Sequence, residues 1–141
     1  MRQKLNIITL GVKDFTASVN FYQKGLGWQL SSFSQEKIAF FDMGGIVLAL
    51  YPRDLLAEDV GTTPAGQGFS GITLAYNAKN QAEVNEVLKQ VESLGAKIIK
   101  QAQTVFWGGY SGYFADLDGH LWEVAWNPYL EFDDKDNLVL P

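Results

Sequence analysis

Residues 7–28 read IITLGVKDFTASVNFYQKGLGW, and their pattern decides the fold class. Ile7 to Val12 alternate apolar with small or polar side chains and are rich in β-branched residues, which reads as a strand. Asp14 then stands where an N-cap belongs. Phe15, Val19, Tyr22 and Leu26 follow at helical spacing, and Gly25 or Gly27 stops the helix. Beyond it lie three strand-like stretches, Trp28–Phe33, Lys37–Asp42 and Ile46–Tyr51, separated by short turns that include Met43-Gly44-Gly45. The first half therefore reads β-α-β-β-β.

The same order then begins again. Pro52–Gly68 is a shift in composition, with a short helical turn at Asp54–Val60 and a linker punctuated by Gly61, Pro64, Gly66 and Gly68. Phe69–Asn77 reads as a strand. Asn80–Leu94 reads as a helix with Val84, Val87, Leu88 and Val91 on one stripe, ended by Gly95. Lys97–Lys100, Gly109–Ala115 and Leu121–Trp126 read as strands. IITLGV in the first half matches GITLAY in the second, and GGIVLALYP matches DGHLWEVAWNP. This is an internal duplication of a βαβββ unit, each copy about 60 residues, too large for a solenoid repeat. The expected architecture is α+β, with two βαβββ units forming curved sheets around a cleft. Residues 1–128 are expected to form one domain of two repeats, 5–51 and 69–128, joined by the linker 52–68. Residues 129–141 are a C-terminal tail.

Composition narrows the chemistry. The 141 residues include no cysteine and one histidine, which excludes thiolate chemistry and zinc–thiolate or iron–sulfur sites within the chain. The formal net charge is −5, from 11 Lys+Arg against 16 Asp+Glu. Nothing in that balance neutralises phosphates, so neither a nucleic-acid nor a membrane partner is expected. No apolar run approaches membrane-spanning length, and the start lacks a signal peptide's apolar core and cleavage site. The expected location is cytoplasmic.

Two motifs carry a resemblance over nearly the whole chain. The opening runs from Thr9 to Trp28 with Phe21-Tyr22 on its helix, and the closing YFADLDGHLWEV runs from Tyr113 to Val124. With the paired units they resemble the vicinal oxygen chelate superfamily, which includes glyoxalase I, bleomycin-resistance proteins, fosfomycin-resistance enzymes and extradiol dioxygenases. The resemblance implies a homodimer and a cleft that takes a small molecule. In metal-dependent members it implies four ligand positions, which fall here on Ile7, Ala49, Gly71 and Glu123. Isoleucine, alanine and glycine offer a metal no side-chain lone pair, and one carboxylate does not hold a divalent ion. No metal ligand set and no cofactor are therefore expected. His120 does not rescue the site, because on a strand it and Glu123 point to opposite faces.

Strand parity then selects the cleft. Thr9 on the first strand, Tyr51 on the last strand of the first half and Thr73 on the matching strand share the inward parity of the positions to which the resemblance carries ligands, as Glu123 does. Tyr113 falls where the resemblance implies a cleft tyrosine. Glu123 serves as general base or ligand anchor, with Tyr113 as acid or orienter, or else it is an idle relic bonded to Thr9, Thr73 or Tyr113. Residues 106–114, FWGGYSGYF, supply Trp107, Tyr110 and Tyr113 as an aromatic wall, or as an edge strand in a dimer interface. Arg53 meets an anionic ligand group or pairs with Asp54 or Glu58 at the surface. The function expected is binding of a small organic molecule in an aromatic-lined cleft without metal, as in bleomycin-resistance proteins. The alternative is a lyase, isomerase or dioxygenase, metal-dependent or using Glu123 as base; whether there is turnover stays open.

Overall fold

The computed structural model describes residues 1, 6–61, 63–66, 68–70, 72–106 and 108–139. The chain divides into two compact units, Met1–Phe69 and Ser70–Pro141. Each carries strands and helices in the order expected of an α+β duplication.

In the first unit, β1 (Ile7–Val12), β2 (Ala39–Asp42) and β3 (Val47–Pro52) form a sheet in the order β1-β3-β2, with β1 parallel and β2 antiparallel to β3. Helix α1 (Phe15–Asn20) begins as the sequence says, with the Asp14 carboxylate accepting from the Ala17 N–H at 2.9 Å. It does not run on as one helix. Phe21–Gly25 widens into a π-helical turn in which the Leu26 N–H reaches back to the Phe21 carbonyl. This turn buries both Phe21 and Tyr22. Tyr22 packs on Trp28 and Phe41, with ring centroids 5.1 and 6.1 Å away. The expected strand at Trp28–Phe33 shrinks to a single bridge, Leu30 to Phe41. Serine hydroxyls account for this: within the stretch Ser31 Oγ accepts from the Phe33 N–H, and just beyond it Ser34 Oγ accepts from the Phe40 N–H, each taking a backbone donor away from a ladder. Helix α2 (Arg53–Val60) lies within the stretch read as a linker and packs on β1 and β3.

In the second unit, β4 (Leu74–Asn77), β5 (Lys97–Thr104), β6 (Tyr110–Ala115) and β7 (Leu121–Trp126) form a sheet in the order β4-β7-β6-β5. Helix α3 (Gln81–Ser93) covers one face. Its stripe Val84, Leu88 and Val91 is buried against that sheet, each side chain contributing about 1.5–3 kcal/mol by leaving water. Trp122 and Val124 are buried beside it, with Trp122 stacked on Phe114 at 6.1 Å and 2°. β4 is shorter than the expected Phe69–Asn77 and β5 is longer than Lys97–Lys100. A hairpin of β8 (Glu131–Phe132) and β9 (Leu138–Val139) lies in the stretch read as a tail. No helix among the described residues is long and apolar enough to cross a membrane.

Candidate functional site

The face of the second sheet opposite α3 follows from parity. Trp122 and Val124 point toward the helix, so Glu123 points away from it. Register then builds a row across all four strands: Ala75 faces Glu123, Glu123 faces Tyr113, and Tyr113 faces Lys100. Directly opposed residues sit roughly 4.5–5.5 Å apart at Cβ, within reach of one another's side chains. The Tyr113 side chain stands beside the Glu123 carboxylate across the β6–β7 pair. Burial first, then the negative charge and hydrogen bond of Glu123, push the Tyr113 phenol above its ordinary value. Tyr113 is thus held as a neutral donor. The Lys100 ammonium lies 6.0 Å from the centre of the Tyr113 ring, at the edge of cation–π range. Tyr113 and Glu123 are half-buried and Lys100 is exposed. A carboxylate, a phenol and an ammonium therefore share one accessible face and can hold a hydroxyl or acidic group or move a proton.

The first unit has a site of its own. Thr9 faces Ala49 and Tyr51 faces Gly11 across the β1–β3 ladder, which puts Thr9 and Tyr51 on one face. They line a cavity of about 550 Å³ together with Glu36, Lys37 and Asp59. Glu36 and Lys37 come from the turn closed by the Gln35–Ile38 bridge, and Asp59 from α2. Sequence reasoning missed these three charged residues. They come from a turn and a helix that no periodic pattern connects to β1.

The remaining expected residues are placed differently. Tyr110 does not join Tyr113. The two are three apart on a strand, so Tyr110 lies on the α3 side, where its hydroxyl donates to Asn85 Oδ1 at 3.0 Å. It is removed from the aromatic wall. Thr73 is exposed just ahead of β4. Trp107 and Gly71 lie outside the described residues. Phe106, beside Trp107, is fully exposed. Arg53 donates through Nε to the Pro64 carbonyl at 2.9 Å. His120 belongs to the turn before β7: its N–H and that of Asp118 both donate to Asp116 Oδ1, at 2.9 and 3.0 Å.

Comparison with known proteins follows the same lines. The family model for the Glyoxalase/Bleomycin resistance protein/Dioxygenase superfamily matches residues 4–124. The fosfomycin resistance protein FosX of Listeria monocytogenes is 30% identical over 128 residues, covering 85% of this chain and 86% of that protein. The metallothiol transferase FosB of Bacillus licheniformis is 27% identical over 122 residues, covering 85% of this chain and 73% of that protein. The crystal structure of a glyoxalase-related enzyme from Fulvimarina pelagi is 35% identical, covers 98% of each chain, and superposes with a TM-score of 0.87.

These relatives correct one expectation. A metallothiol transferase among them means that freedom from metal is not a property of this group of sequences, and the expectation of no cofactor is withdrawn. Among the described residues no three His, Cys, Asp or Glu side chains converge. Of the described positions to which the resemblance carries ligands, Ile7 and Ala49 offer no donor atom and Glu123 offers one carboxylate. The described residues do not fit such an ion.

Proposed function

The chain belongs to the Glyoxalase/Bleomycin resistance protein/Dioxygenase superfamily, and from that membership we propose that it binds a small organic molecule through the row Lys100, Tyr113 and Glu123. The observation that carries the reading is the juxtaposition of Tyr113 and Glu123 on an accessible sheet face, with Lys100 beside the same ring. A ligand hydroxyl or acid finds there an acceptor, a neutral donor and a cation. Thr9 and Tyr51 supply a second binding surface in the first unit's cavity. The protein acts as a homodimer.

A second reading, chemical modification of the bound molecule, is favoured by a relative named as a transferase. Glu123 then takes a proton from the ligand while the Tyr113 O–H turns to donate a hydrogen bond to an oxygen of the same molecule.

The experiment is a paired measurement on Glu123→Gln. Gln keeps the volume and one acceptor but loses the charge, so a bound ligand is weakened by about 1.5–3 kcal/mol with the fold intact. Fosfomycin, named in the relatives, is the first compound to test. A raised thermal midpoint with unchanged affinity would identify Glu123 as an idle, half-buried carboxylate and end this reading.

A further inference from the structure

β5 and β6 do not pair in one register. Lys97 faces Ala115 and Ile98 faces Phe114, but Lys100 faces Tyr113, and Gln103 faces Ser111. Had the first register run on, Ile99 would stand beside Tyr113 and Gln101 beside Ser111. One extra residue thus enters β5 ahead of Lys100 and another after it. Burial agrees. Ile98 and Ala102 are half-buried, while the three residues between them are all exposed. The first insertion replaces an apolar side chain by an ammonium beside Tyr113. The second brings Ala102, rather than Gln101, next to Gly112.

Gly112 stands opposite that second insertion. A Cβ built there would lie 2.7 Å from Leu88 Cδ1, 2.8 Å from the Lys100 carbonyl oxygen and 2.9 Å from the Ala102 nitrogen. The leucine methyl can rotate away, but the other two are β5 backbone, which moves only if the strand moves. We infer that Gly112 is a positioning residue: the absence of its side chain lets the β5 backbone from Lys100 to Ala102 close on β6, and that close approach holds Lys100 over Tyr113 and on the row of Glu123. The inference rests on the reading of that row as the binding site.

The test is proton NMR of the folded chain at neutral pH without ligand, so its failure is distinct from a failure to bind. In the parent, the Lys100 ε-methylene shows an Overhauser contact with the Tyr113 ring and a ring-current shift. Gly112→Ala is expected to lose both while the contacts between Tyr113 and Glu123 persist. A merely destabilising change would leave both signals in the folded fraction, and their persistence overturns the inference. Should Gly112→Ala fail to fold, L88A/G112A relieves the contact with the leucine methyl and leaves the two with β5 backbone. The Lys100–Tyr113 contact is expected to be lost there too, and its persistence overturns the inference.

Discussion

Asp116 shows how much one side chain can settle. It is buried, and its Oδ1 closes the β6–β7 turn by accepting from the N–H groups of Asp118 and His120. Asp116→Ala leaves those donors without that acceptor, and urea unfolding should report a loss of about 1–3 kcal/mol; a change within 0.5 kcal/mol, roughly the scatter of neutral surface substitutions, would show that the turn closes without it. The Asp-Leu-Asp-Gly signal was legible because it is local: four consecutive residues specify a turn, and the turn fixes the parity of Glu123. The pairing of Glu123 with Tyr113 was legible for the same reason, being carried by one hairpin. Glu36, Lys37 and Asp59 were not legible. They meet Thr9 and Tyr51 only through a turn and a helix whose packing no spacing encodes. Tyr110 was misplaced for a simpler reason: counting aromatics in a window ignored the period of two that puts residues 110 and 113 on opposite faces.

At the scale of elements, α3 is tied to both of its neighbours. Asn80 Oδ1 caps the helix by accepting from the Glu83 N–H at 2.9 Å, and Glu83 reaches back to the Lys79 N–H at 2.7 Å. Glu83 also accepts from the Tyr76 hydroxyl of β4, and Lys79 pairs with Asp136 of the terminal hairpin at 2.7 Å. Burial, then the hydrogen bond to Glu83, raises the Tyr76 phenol from 10.0 to about 12. A raised folded-state value stabilises the fold fully below the unfolded value and loses that contribution as pH climbs through the folded one. Tyr76→Phe should therefore lower stability by roughly 0.5–1.5 kcal/mol at neutral pH. The gap should close between about pH 10 and pH 12 in chemical denaturation, and a gap independent of pH would contradict the Tyr76–Glu83 bond. Of the elements themselves, α3 and β7 were legible from apolar stripe and alternation. The π-helical turn was not, since its apolar spacing is also that of an α-helix. The β5 slips were not, since KIIKQAQT has no alternation to read. The Trp28–Phe33 strand gave way to serine–backbone bonds that compete with a ladder.

For the whole molecule, duplication and family membership were legible because the two halves repeat the same words, IITLGV with GITLAY, at the same places. The cofactor expectation failed at this scale. It was argued from three missing ligand positions in one sequence, and a named metallothiol transferase among the relatives overturned it. A curved open sheet leaves edge strands unpaired, and proteins usually cover such edges, which is the ground for expecting a homodimer. Sedimentation at micromolar concentration is expected to give a species of twice the chain mass of 15.7 kDa; a stable monomer would contradict the homodimer. The central claim is that Lys100, Tyr113 and Glu123 form the ligand site. It is tested most directly by two-dimensional NMR of the parent and of Glu123→Gln against a panel of small organic acids and alcohols that includes fosfomycin. The account predicts saturable shifts centred on residues 100, 113 and 123, with affinity falling on the order of 10- to 100-fold in the variant. Ligands that perturb another surface, or that bind parent and variant equally, would contradict it.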